Sequence, residues 1–125
     1  VFQIFVPLAV GAAVVMVQDA LELASTPTDV SLVNMVPSAL RSVIASGTLS
    51  EGVRRVNLGG EVLPPDLLAQ LFADTGLEDV RNHWGPTETT ITSTCGLLRR
   101  GEDSPITIGR PIGNTRVYIL DSSGR

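Results

Sequence analysis

Apolar and polar positions change period several times along this chain, and each change marks an element. The opening segment, up to about Val10, is apolar and suits a helix that Pro7 disturbs, or the end of one. Residues 12–17, Ala-Ala-Val-Val-Met-Val, are short, apolar and β-branched, as a strand buried on both faces would be. Residues 18–29 turn polar and predict a loop with one helical turn. VSLVNMV at 30–36 predicts a second strand. Pro37 and Ser38 then open a helix with Leu40, Val43 and Ile44 on one side and Gly47 as its stop. VRRVNL at 53–58 is strand-like and is broken by Gly59-Gly60. Pro64 and Pro65 start a further helix with the stripe Leu67, Leu68, Leu71 and Phe72, ended by Gly76. DVRNHW at 79–84 predicts a strand, RRGEDSP at 99–105 an exposed loop, and RVYILD at 116–121 a last strand before a Ser-Ser-Gly turn.

Strand, helix, strand, helix, strand at this spacing predicts an α/β fold with βαβ crossovers and a largely parallel sheet. Ligands of such sheets bind at the carboxyl ends of the strands. Three groups are thereby singled out, 34–38, 59–61 and 82–92, and they are expected to converge in space.

Composition narrows the field. With 125 residues the chain is about one small domain or part of a larger one. Its 43% hydrophobic content suits a folded core, and a net charge of −4 with no basic cluster beyond arginine pairs argues against nucleic acid and against a polybasic membrane anchor. All nine basic residues are arginine, so chemistry that needs a lysine has no candidate within these residues. The single cysteine, Cys95, leaves no internal disulfide and no cysteine-based metal cluster, and suits a reducing, cytoplasmic setting. The apolar run at 4–17 is interrupted by Pro7 and Gly11 and falls short of the ~20 residues that span a bilayer; no basic segment precedes it as in a signal peptide. A first residue other than methionine and an ending just past a strand-like segment predict a fragment of a larger domain.

Two stretches carry candidate chemistry. Gly59-Gly60-Glu61 lies between a strand and a helix, where the absence of a Cβ lets the backbone approach a flat ligand. It lacks the spacing and the lysine of a Walker loop, and short glycine motifs of this kind more often do no more than reverse the chain. NHWGPTETTIT at 82–92 packs an amide, an imidazole, an indole, a Gly-Pro turn and a carboxylate among threonines. Gly85-Pro86 turns the chain sharply; Thr87 offers a hydroxyl, Glu88 one hard oxygen contact for Mg²⁺, and Trp84 a π face for a purine. Composition equally allows Trp84 in a core, Glu88 as a solvated charge and the threonines as strand formers. His83, the only histidine, suits a pocket wall better than a metal site, for which no second ligand is in view. Cys95 suits a small buried hydrophobe and Arg99-Arg100 a solvated pair.

Three segments carry a resemblance that periodicity alone does not give. VNLGGEVLPPDLL at 56–68, RNHWGPTETTI at 81–91 and TIGRPIGNTRVYILD at 107–121 resemble the adenylation domains of non-ribosomal peptide synthetases, within the AMP-forming acyl and aminoacyl ligases. The likeness runs over essentially the whole chain, in order and spacing. It implies that the chain is part of the large N-terminal domain of such a ligase. It also implies a two-step activity: an amino acid and ATP give aminoacyl-AMP and pyrophosphate, and the aminoacyl group then passes to the phosphopantetheine thiol of a carrier domain, beside a condensation domain. By the resemblance, Trp84 replaces an aromatic, usually tyrosine, that stacks on adenine. Asn82 and the His83 carbonyl recognise the adenine amino group, with Gly59, Gly60, Glu61 and Gly85 around the base; Thr87 contacts the α-phosphate and Glu88 holds Mg²⁺.

The resemblance further implies an amino-acid pocket lined by Phe2, Asn34, Asn57, Gly59, His83, Ile91 and Thr92. Four of these are polar, and a buried polar group left unpaired costs about 1–3 kcal/mol, so a substrate with a polar side chain is expected. The family's aspartate for the α-amino group would lie just before Val1 and its glycine-rich phosphate loop further upstream. Its ribose-binding aspartate and adenylation lysine would follow Arg125. The isolated chain is therefore expected to be inactive and poorly stable. Two other readings stand beside this one: an AMP-forming ligase of acyl or aryl acids outside any assembly line, and a degenerate nucleotide-binding module without catalysis.

Overall fold

The computed structural model describes residues 2–25, 29–47 and 49–125, leaving aside the side chains of Phe2 and Ser25. Helix α1 is Phe2–Ala9 and α2 Glu22–Ser25. The chain then alternates through β1 (Leu32–Met35), α3 (Pro37–Ser46), β2 (Arg55–Gly59), α4 (Pro65–Asp74) and β3 (Asp79–Trp84). A 3-10 turn at Thr87–Thr89 leads to β4 (Thr94–Arg99) and the short β5 (Arg110–Pro111). The five strands form one sheet in chain order. β1, β2 and β3 run parallel, whereas β4 and β5 are antiparallel to their neighbours. The expected α/β class with βαβ crossovers is present, with an antiparallel edge added.

Both crossover helices start at a proline, whose missing N–H is no loss in a first helical turn. They pack against each other and against one face of the sheet. Leu40 and Val43 of α3 and Leu67 and Leu71 of α4 are buried with Val33, Val56, Leu58, Val80 and Leu98 of the strands. Each such side chain contributes roughly 1.5–3 kcal/mol when fully buried. Helix α1 keeps Pro7 inside it and leaves Phe5 and Leu8 exposed. Its Gln3 Nε2 donates to the Asn34 carbonyl at 2.7 Å, tying the start of α1 to β1.

Three expectations are corrected. Residues 12–17 form no strand: Val15 and Met16 are exposed and none of the five strands pairs with this segment. Residues 116–121 form no strand either; Tyr118 and Ile119 are exposed, and only the turn after Asp121 is fixed, by Oδ1 accepting from the Ser123 and Arg125 amides. In both, β-branched residues allow an extended backbone, but a strand needs a hydrogen-bonded neighbour. Conversely, Arg99 belongs to β4 rather than to a loop, and Arg100, exposed like Arg99 as expected, is also anchored. Its Nε and Nη2 donate to the Leu77 carbonyl at 2.9 and 2.8 Å, Nη2 donates to the Thr75 carbonyl at 2.6 Å, and the guanidinium lies 5.4 Å from the Phe72 ring centre.

Candidate functional site

Successive residues of β3 leave opposite faces of the sheet, and the register fixes which neighbours each one meets. Asn82 lies between Leu58 and Gly96, and Trp84 beside Thr94, on the face that carries the helices. Arg81 lies between Asn57 and Leu97, and His83 between Gly59 and Cys95, on the other face. The three groups singled out by topology do converge. Ser38 N and Oγ donate to the two Glu61 carboxylate oxygens at 3.0 and 2.8 Å, and a Cβ on Gly59 would stand 2.9 Å from the His83 carbonyl oxygen.

On the helix side, a cleft of about 860 Å³ opens at the carboxyl ends of β2 and β3. Gly60, Glu61, Asn82, His83, Trp84 and Gly85 line it, facing residues 104–108. Gly60 has φ +84°, which suits glycine, and a Cβ there would press on Val36 at 3.3 Å. Trp84 is 49% exposed, leaving an indole face free along the opening. Asn82 is 6% exposed; its Nδ2 donates to the Thr107 carbonyl at 3.0 Å, while Oδ1 has no partner among the described residues. That oxygen is an acceptor suited to an exocyclic amine. Glu61 borders the cleft, and its carboxylate oxygens accept from Ser38 N and Oγ, which caps the start of α3.

The loop between β3 and β4 is tightly tied. Ser93 N donates to the Trp84 carbonyl at 2.8 Å and Ile91 N to the Pro86 carbonyl at 3.2 Å. Thr89 Oγ1 donates to the Pro86 carbonyl at 3.0 Å or shares a hydrogen with Ser93 Oγ at 2.6 Å. A Cβ on Gly85 would stand 2.5 Å from the Ser93 nitrogen and 2.7 Å from the Ile91 oxygen, so only glycine lets the loop close on itself. Thr90 and Ile91 take φ +62° and +77°, and for β-branched residues that costs on the order of 1–3 kcal/mol each. Thr87 and Glu88 sit on the exposed 3-10 turn of this loop. No group of three metal-binding side chains occurs among the described residues, so Glu88 offers one carboxylate, the number Mg²⁺ needs when phosphates supply the other contacts.

On the open face, Asn34, Asn57 and His83 come together with Gly59. Asn57 is 3% exposed, and its Oδ1, like His83 Nδ1, is buried without a partner. Thr92 is half-buried and Ile91 exposed; the Phe2 side chain lies outside the described residues. Cys95 Sγ stands 4.0 Å from His83 Nε2, so the thiol faces the site and is only partly buried, unlike the hydrophobe expected. Burial pushes the His83 pKa down and Arg81 adds to it, leaving the imidazole neutral near pH 7. Burial pushes the Cys95 thiol up, partly opposed by Arg81.

All 125 residues, 1–125, match the family described as AMP-binding enzyme. The chain belongs to the AMP-binding enzyme family. Within it, the chain is 40% identical over 124 residues to one of the subunits of the linear gramicidin synthase of Brevibacillus parabrevis, covering 98% of this chain and 2% of that protein. It is 39% identical over 131 residues to the phosphinothricin tripeptide synthetase PhsB of Streptomyces viridochromogenes, covering 98% and 11%. A four-domain nonribosomal peptide synthetase solved with AMP and glycine superposes with a TM-score of 0.81 at 27% identity, covering 98% of this chain and 10% of that one. The chain thus spans a small part of the relatives it matches. Among the described residues no helix is long and apolar enough to cross a membrane.

Four residues around these groups escaped the sequence reading: Thr107, which fixes Asn82; Thr89, which ties the loop; and Arg81 and Cys95, which share the open face. For the last two the strand period was the available signal, since they lie two residues before His83 and directly across from it.

Proposed function

We propose that this chain forms the centre of an amino-acid-activating adenylation domain, as part of its large N-terminal domain, in a peptide-synthesising assembly line. The supporting observation is β3 itself. Asn82 and Trp84 border the cleft on one side, His83 joins Asn57 and Asn34 on the other, and Thr87 and Glu88 follow at the strand's end. One strand then meets both substrates of a single condensation. The substrate carboxylate oxygen bonds to the α-phosphorus of ATP, and the bond to the β-phosphate breaks, releasing pyrophosphate. A carrier-domain thiolate then takes the acyl carbon and AMP leaves.

In this reading Trp84 stacks on adenine, Asn82 Oδ1 and the His83 carbonyl accept from its amino group, and Gly59, Gly60, Glu61 and Gly85 border the base. Thr87 donates to the α-phosphate. Glu88 holds Mg²⁺, which when bound offsets charge on the phosphates. Phe2, Asn34, Asn57, Gly59, His83, Ile91 and Thr92 line the amino-acid side, and the unpaired Asn57 and His83 atoms support a polar substrate side chain. Partners are the amino acid and the carrier and condensation domains of the same assembly line, with neither nucleic acid nor a membrane. A cytoplasmic setting is part of the reading, supported by a lone cysteine.

Amino-acid-dependent ATP–pyrophosphate exchange by the complete adenylation domain tests this. Exchange with one or a few amino acids is expected, and none with any common amino acid would overturn the reading.

A further inference from the structure

One charged side chain on the open face is left without a role by the adenylation chemistry. Arg81 stands between Asn57 of β2 and Leu97 of β4, one side chain back from the His83–Cys95 pair along the same face. It is half-buried, and its guanidinium makes no hydrogen bond or ion pair among the described residues. No ion pair joins it to Asp79, two residues back on that face, whose Oδ1 is buried without a hydrogen-bond partner. The Arg81 charge nonetheless reaches across the site, since it lowers the proton affinity of both His83 and Cys95.

A partly desolvated guanidinium has five donors and no means of losing its charge, so leaving it unpaired is costly. Apart from Asp79, the residues around it are neutral: Asn57, Leu97, Asn34 and a histidine that burial keeps unprotonated. A planar carboxylate matches the guanidinium fork with two parallel hydrogen bonds. The unpaired Asn57 Oδ1 is an acceptor for N–H groups that the carboxylate leaves over. The phosphates of a nucleotide are a poor alternative, because Arg81 does not line the cleft, and Thr87 and Glu88 lie beyond the end of β3.

We infer that Arg81 is a specificity-determining residue and that the amino-acid side of the site takes a side chain ending in a carboxylate, of the aspartate or glutamate kind. This rests on the adenylation reading and narrows its polar substrate to an anionic one.

Exchange profiling of the complete adenylation domain across aspartate, glutamate, their amides and apolar amino acids tests it, with Arg81→Gln and Arg81→Lys alongside. The wild-type domain should favour an acidic amino acid. Arg81→Gln should lower kcat/KM for that substrate about 100-fold, mainly through KM, with the KM for ATP unchanged and preference moving towards the amide. Arg81→Lys should retain part of the acidic preference. A wild-type domain that exchanges best with a neutral amino acid overturns the inference and leaves the adenylation reading standing; exchange with none overturns both. An unchanged acidic kcat/KM in Arg81→Gln also overturns it. If that variant does not fold, the wild-type profile decides alone.

Discussion

The two faces of this sheet are built on opposite terms. Where α3 and α4 cover it, the strands present Val33, Val56, Leu58, Val80 and Leu98, all 8% exposed or less, and that face turns polar only at its end, at Asn82 and Thr94. The open face presents Asn34, Asn57, Arg81, His83 and Cys95, with Asn57 Oδ1 and His83 Nδ1 buried without partners, as Thr94 Oγ1 is at the polar end of the covered face. Burial on the first face stabilises the fold. Each unpaired atom on the second costs about 1–3 kcal/mol. The helix-backed face carries the open one, and in the proposed reading the atoms left unsatisfied there meet the amino acid.

Exchanging the terms of the two faces puts the contrast at risk. Leu67→Ala, which opens a cavity under the covered face, should destabilise the complete domain by about 2–5 kcal/mol in denaturant unfolding. Its ranking of amino acids in exchange should stay as it was. Asn57→Leu should act in the reverse sense. Removing an unpaired buried amide is expected to raise stability by about 1 kcal/mol, while the KM for the amino acid rises. A loss of stability in Asn57→Leu would show that Oδ1 already has a partner in the complete domain.

The smallest expected effect is one of pH. The folded-state pKa of His83 lies below the ordinary histidine value of 6.5, so the unfolded chain binds the proton more readily. Stability should therefore be undiminished above pH 6.5 and fall as pH drops from there through the folded-state value. His83→Gln should flatten that part of the profile in pH-dependent thermal unfolding. A wild-type profile equally flat would remove His83 from the buried set.

Much of the covered face was legible because its signal is local. Prolines at helix starts, the 3.6-residue stripe Leu67, Leu68, Leu71 and Phe72, and the strand at 79–84 are set within a few residues of themselves. The convergence of 34–38, 59–61 and 82–92 followed from strand polarity alone. What escaped was set by distant partners. Residues 12–17 and 116–121 have strand composition but no ladder, whereas β4 has a ladder although Gly96 interrupts its alternation. The anchoring of exposed Arg100 escaped because its acceptors, the Thr75 and Leu77 carbonyls, lie more than twenty residues away. The Ser38–Glu61 contact escaped because its partners lie twenty-three residues apart.

The alternation of β3 also sorts its positions by parity. In the proposed adenylation reading, even-numbered Asn82 and Trp84 serve the nucleotide, which every amino acid shares, and odd-numbered Arg81 and His83 serve the amino acid. Retargeting this enzyme to another amino acid is then a matter of rewriting odd positions and leaving even ones alone. A one-residue insertion within the strand would exchange the two sets and forfeit both partners in a single step.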